Sequence, residues 1–175
     1  LTANTTADNN TAVGFSALDT NTTGANNTAV GYRSLDANTT GADNAAFGME
    51  AGKAITTGCQ NVFIGREAGV TGTTADCNVV VGKSAMQSLT EGDKNVAIGH
   101  SALFENTTGS QNVAMGVIAL SCNTTGADNT AIGCGAGALT TTGTCNVFVG
   151  RAAGVTNTTG SNNVAIGFAA GASTT

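Results

Sequence analysis

Proline and tryptophan are absent from this 175-residue chain, tyrosine and histidine occur once each, and only 10% of the residues are charged. Beside 25 glycines, these gaps exclude a conventional mixed core and leave the composition of a repeat. Six Lys+Arg against eleven Asp+Glu give a net charge of -5 with no basic run, so nucleic acid and anionic membranes are not expected partners. No stretch of about 18 apolar residues and no basic-then-apolar leader occurs, so neither a membrane span nor a signal peptide is read in this piece. His100 has no second histidine and no clustered carboxylates in support, so no catalytic, cofactor or metal site is expected and the chain reads as a non-enzyme. Asp8, Asp43, Asp76, Asp93 and Asp128 recur without the GGxGxD spacing of calcium repeats and read as solvated turn residues.

What is present is a period. The stretch Asn95-Val96-Ala97-Ile98-Gly99 has ten copies, each opening seventeen residues after the last. They begin at Asn10, Asn27, Asn44, Asn61, Asn78, Asn95, Asn112, Asn129, Asn146 and Asn163, and each closes on a glycine four residues later. A fixed period of this length marks a solenoid, in which each coil must stack on its neighbours to bury its apolar face. Residues 1–175 therefore form one β-solenoid unit, with residues 1–9 as a partial coil. Both ends fall in mid-coil without a capping repeat, the expectation for a segment of a longer fibre.

Numbered from the leading asparagine as zero, positions one to three form a short β-branched run bounded by Asn and Gly, which is a strand. Position three (Val13, Ile64, Ile98 and their equivalents) and position two (Ala12, Phe63, Ala97 and theirs) face opposite ways, and both are apolar. A strand apolar on both faces needs two coverings, the coil interior and a second body. The economical second body is the same strand of an identical chain. Phe63, Val80, Ala97, Ala114 and Phe148 are the candidate chain–chain interface. The glycine at position four permits a sharp corner. Position seven is always Ala or Ser, a second and narrower inward contact, and the return limb closes through Asn-Thr-Thr-Gly turns. The expected coil is two short strands in parallel stacks, all-β, with the leading asparagines forming an amide ladder that fixes register.

A longer repeat is superposed. NVFIGREAGV from Asn61 returns as NVFVGRAAGV from Asn146, 85 residues or five coils later, which implies growth by tandem duplication. The five cysteines, Cys59, Cys77, Cys122, Cys134 and Cys145, share no column and form no CxxC, so they read as small fillers or isolated thiols. Cys59 and Cys77, one coil and one position apart, are the pair to check.

Position twelve is threonine throughout, ending at Thr175. Thr22, Thr39, Thr56, Thr73, Thr107, Thr124, Thr141 and Thr158 are the candidate ice-binding face of an alternative, antifreeze reading. Against it, neighbouring Thr-Thr residues point to opposite sides and give a single outward column. Asn21, Asn38, Asn106, Asn123 and Asn157 begin Asn-Thr-Thr and are candidate glycosylation sites, with Asn4, Asn9 and Asn26 also in sequons.

The NVAIG and NTAVG coils resemble the head repeats of trimeric autotransporter adhesins of the YadA type, and the NTAVGYxAL…NTTG arrays of some phage tail-fibre and surface proteins. The resemblance covers the whole chain. It implies a left-handed parallel β-roll, a homotrimer joined through the apolar strands, and an outer surface that binds host surface or matrix. The expected function is a structural and adhesive fibre segment at a cell surface or on a virion, extracellular and without cofactor.

Overall fold

A computed structural model describes residues 1–172, so Thr175 lies outside the described residues. The chain is an all-β parallel solenoid with one three-residue strand in each seventeen-residue coil. The strands are β1 (Thr11–Val13), β2 (Thr28–Val30), β3 (Ala45–Phe47), β4 (Val62–Ile64), β5 (Val79–Val81), β6 (Val96–Ile98), β7 (Val113–Met115), β8 (Thr130–Ile132), β9 (Val147–Val149) and β10 (Val164–Ile166). They form a single sheet in sequence order, each strand pairing in parallel with the residues seventeen positions on, as Val79 with Val96 and Val96 with Val113. At about 4.8 Å per strand, ten coils span about 48 Å.

The second strand expected in each coil does not form. Three residues per coil adopt left-handed backbone, such as Ser84 (φ 53), Met86 (φ 46) and Lys94 (φ 58), and they break any extended run on the return limb. A non-glycine residue in this region costs about 1–2 kcal/mol. It is held there by bonds between coils, such as the Ser84 N–H to the Arg66 carbonyl at 2.9 Å and the Met86 N–H to the Ala102 carbonyl at 2.9 Å. The position-four glycine is required for a different reason. At Gly99 (φ 133) an added Cβ would lie 2.5 Å from the carbonyl oxygen of Gly116 in the next coil.

The interior is narrow and filled by complementary sizes. In the coils of Ala12, Ala29, Ala97 and Ala114, position eight supplies a buried Leu: Leu18, Leu35, Leu103 and Leu120. Where position two is Phe63 or Phe148, position eight is glycine in its own coil and in the coil before. A Cβ at Gly69 would come within 2.2 Å of the Phe63 ring, and one at Gly52 within 2.7 Å. Gly154 and Gly137 stand in the same relation to Phe148, at 2.3 and 2.6 Å. Each ring thus fills the space that two leucines occupy elsewhere.

Polar ladders run beside this core. The leading asparagines are buried from Asn27 to Asn146, and from Asn61 to Asn163 each Nδ2 donates to the Oδ1 of the asparagine one coil earlier at 3.0–3.2 Å. The same Oδ1 also accepts the next coil's backbone N–H, as Asn78 does from Asn95 at 2.9 Å. Asn10 and Asn27 keep this backbone bond. The second Nδ2 proton reaches the carbonyl fourteen residues on, a glycine's as from Asn95 to Gly109 at 2.9 Å, or Ala75's from Asn61 at 2.7 Å.

A second, interrupted ladder occupies position eleven. Asn38 donates to Asn21, and Asn123 to Asn106, each at 2.7 Å. It stops where Ile55 and Thr140 take the next place, and there Asn38 Oδ1, Asn123 Oδ1 and Thr140 Oγ1 are buried without a partner. Thr140→Asn should join Asn123 to Asn157 and stabilise the fold by about 2 kcal/mol, since it relieves two orphaned oxygens. Urea unfolding monitored by circular dichroism should move to higher denaturant, and an unchanged midpoint would refute the ladder account.

Candidate interaction surface

The strand face directed away from the core is position one together with position three. Position three carries an apolar side chain in all ten coils: Val13, Val30, Phe47, Ile64, Val81, Ile98, Met115, Ile132, Val149 and Ile166. None of these is buried; Phe47, Ile64, Met115 and Ile132 are each about 40% exposed. Position one adds Val62, Val79, Val96, Val113, Val147 and Val164, which sequence reasoning left unassigned although alternation places positions one and three on one face. Position three is thus an unbroken apolar column along the rod, widened by valine or alanine at position one except at Thr11, Thr28 and Thr130.

The candidate interface residues are elsewhere. Phe63, Val80, Ala97, Ala114 and Phe148 are fully buried inside their own coils, with at most 1% exposure, and cannot meet another chain. The physical reason is the glycine pairing at position eight, which leaves room for a ring only on the inner side of the strand.

One border of the strip is the position-five column, which is exposed and changes character along the rod. Phe15 and Tyr32 stack with centroids 5.5 Å apart, Met49 follows, then Arg66, Lys83 and His100, and later Arg151 over the Phe168 ring at 5.7 Å. Beside it Arg33 pairs with Asp36 at 2.7 Å, and Arg66 with Glu67 at 2.9 Å. The hydrogen bond to Asp36, reinforced by its charge, raises the Arg33 guanidinium above its ordinary value.

The candidate ice face is half-buried along most of its length. Thr22, Thr39, Thr56, Thr73, Thr107, Thr124 and Thr141 each donate their hydroxyl proton to the threonine carbonyl of the next coil, six of them at 2.9–3.2 Å and Thr73 at 3.5 Å. Thr158 ends this run as the acceptor for Thr141. The exposed column is position thirteen, Thr23, Thr40, Thr57, Thr74, Thr108, Thr125, Thr142 and Thr159.

The candidate glycosylation asparagines are also displaced from the surface. Asn21, Asn38, Asn106 and Asn123 have no exposure and Asn157 only 7%. The turn sequence that looks like a solvent corner points its asparagine inward, where it caps its own turn by donating to the glycine carbonyl three residues on at 2.9–3.0 Å.

Two corner aspartates do more than face solvent. Asp76 Oδ1 accepts the Cys59 N–H at 2.6 Å, and Asp93 Oδ1 accepts the Asp76 N–H at 2.7 Å, a third ladder that only the register reveals. All five cysteines are free. The Cys77 N–H meets the Cys59 carbonyl at 3.0 Å, but their thiols turn to Gln60 Oε1 and the Thr57 carbonyl. Among the described residues no group of His, Cys, Asp or Glu is placed to hold a metal ion, and no surface pocket opens. His100 is exposed in the position-five column. Among the described residues no helix is long and apolar enough to cross a membrane. Compared with protein-family models, with curated proteins and with solved structures, this parallel solenoid of seventeen-residue repeats matches none.

Proposed function

We propose that the chain is a non-catalytic structural segment of an extracellular fibre, a stiff rod that associates with identical chains through its outer strand face. The observation that carries this reading is the apolar column at position three, continuous through ten coils, with six of its residues exposed and the other four half-buried. Its side chains recur at the strand spacing of about 4.8 Å. Another copy of the chain offers a face of the same pitch and length, which an irregular globular surface does not. A strip about 48 Å long and about 10 Å wide buries about 1,000 Å² in total when two copies pair, where specific interfaces begin.

The likeness of the NVAIG coils to YadA-type adhesin heads adds a finer proposal: a left-handed roll, three chains per fibre, and polar corners presented to a host surface or matrix. In that arrangement the remaining faces form the adhesive surface, repeated once per coil. The position-five column, with its aromatic, basic and mixed stretches, is the least uniform part of it and the place where selectivity would reside.

The test is mass in solution with outward substitutions. Wild-type protein should sediment as an oligomer. Ile64→Lys with Ile132→Lys should yield a monomer with an unchanged far-ultraviolet spectrum, because both side chains are about 40% exposed and touch no core. A wild-type protein that remains monomeric at micromolar concentration would sink the self-association reading. Thermal hysteresis from that monomer would favour the threonine side instead.

A further inference from the structure

We propose that Asn26, with Asn9, is an N-glycan acceptor site that the fold tolerates, and that glycan addition at Asn21, Asn38, Asn106, Asn123 or Asn157 competes with folding itself. The inference is independent of self-association.

Eight Asn-x-Thr sequons fall into two structural classes. At position eleven the amide to which a sugar would be joined is already committed inside the coil. Asn38 Nδ2 donates to Asn21 Oδ1 at 2.7 Å and to the Gly41 carbonyl at 3.0 Å, which uses both protons; Asn123 repeats this with Asn106 and Gly126 at 2.7 and 3.0 Å. An added Cβ at Gly41 would already lie 2.5 Å from Asn38 Oδ1, and the same holds at 2.4 Å for Gly126 and Asn123. No sugar can enter that space. Asn9 and Asn26 sit at position sixteen, exposed, with left-handed backbone (φ 60 and 59) that turns the side chain outward just before the strand. Asn26 Nδ2 donates one proton to Asp43 Oδ1 at 3.0 Å and keeps a second without a protein acceptor. Asn4 is exposed as well, in the partial first coil.

The reaction needs a polyprenyl-pyrophosphate-linked oligosaccharide and its transferase. Nδ2 attacks the anomeric carbon, an N–C bond forms, and the C–O bond to pyrophosphate breaks with the electron pair leaving on pyrophosphate. The proton lost from Nδ2 passes to a base of the transferase. Because transfer takes place on unfolded chain, all eight sequons compete for it before coils close. A glycan at Asn38 or Asn123 then leaves one Nδ2 proton for two bonds, and at Asn21, Asn106 or Asn157 it places a sugar beside the buried turn cap, while one at Asn26 projects into solvent.

The experiment is secretion of the full chain from a glycosylating eukaryotic host, separation of the soluble protease-resistant fraction from the aggregated fraction, and glycopeptide mapping of both. The folded fraction should carry glycan at Asn26 and none at the five position-eleven asparagines, which should be modified in the aggregate. Thr23→Ala, Thr40→Ala, Thr108→Ala, Thr125→Ala and Thr159→Ala together remove those five sequons at exposed positions and leave the asparagines in place. That variant should raise the folded fraction several-fold. Thr28→Val should remove one glycan from the folded fraction without changing its yield. A glycan found at Asn106 in protease-resistant protein, or an unmodified Asn26 there, overturns the proposal.

Discussion

Phe63→Ala is expected to destabilise the rod by about 3–5 kcal/mol, the cost of emptying a fully buried aromatic site. The cost should sit at the upper end because the wall cannot collapse. The ring is flanked by Gly52 and Gly69, which have no side chains to move inward, and by backbone pinned in register by strand pairing on both sides. The decisive result is rescue. Phe63→Ala combined with Gly52→Leu and Gly69→Leu rebuilds the Ala-with-Leu filling of the coils that hold Leu35 and Leu103, and should recover most of the loss. Both glycines have the left-handed backbone (φ 57 and 58) that Leu35 and Leu103 already adopt (φ 49 and 51), so the added side chains bring little new strain relative to those coils. Gly69→Leu alone, with the ring in place, should destabilise through overlap, since a Cβ there falls 2.2 Å from the ring. Urea unfolding of the four proteins checks this. Failure of the triple variant to recover would mean that the ring is held by something other than its fit between the two glycines.

The same pairing explains what was legible in the sequence and what was not. Coil length, strand position, the corner glycine and the leading asparagine repeat without interruption, so the parallel solenoid could be read directly. The direction of each strand face could not be read from hydrophobicity, because positions two and three are both apolar. With both faces apolar, Phe63, Val80, Ala97, Ala114 and Phe148 fit a chain–chain interface as well as they fit a core. The signal that places them inside is glycine at position eight wherever position two is Phe, a size exchange between positions six residues apart. Once position two is inward, alternation sends positions one and three outward, and the candidate surface becomes Ile64, Ile98, Met115 and their column.

The return limb was misread for a different reason. Its Asn-Thr-Thr-Gly has the composition of a solvent turn, and turn chemistry is there, since each asparagine caps to the glycine carbonyl. Stacking at a fixed pitch, however, makes neighbouring copies each other's partners, so a turn residue can be buried at no loss of hydrogen bonds. Local composition predicts the bond and misses the burial. The Asp76 and Asp93 ladder follows the same rule.

That logic gives the second large effect its shape. Asn95→Ala should cost about 2–3 kcal/mol, because it strips partners from the Asn112 backbone N–H, Asn112 Nδ2, Asn78 Oδ1 and the Gly109 carbonyl together. Asn95→Asp should be worse at neutral pH, by about 3–5 kcal/mol, since a carboxylate there faces Asn78 Oδ1 and the Gly109 carbonyl with no donor for either. Burial against those two acceptors raises that acid's proton affinity in the fold above its unfolded value of about 4. The folded state then binds more protons than the unfolded one above pH 4, so stability must fall as pH rises from about 4 toward neutrality and return on acidification. Asn95→Ala should lack this slope. Asn163→Ala, in the exposed last coil, should cost less than about 1 kcal/mol because it removes only the Nδ2 bond to Asn146 Oδ1 and keeps the backbone N–H bond to the same oxygen. In a stacked array each coil is stabilised by its neighbours, so the Asn95 defect should lower amide protection in the coils of Asn78, Asn95 and Asn112 before that of Asn27. Hydrogen exchange resolved by peptide reads this gradient, and a uniform loss along the rod would show that the asparagine ladder acts globally and not coil by coil.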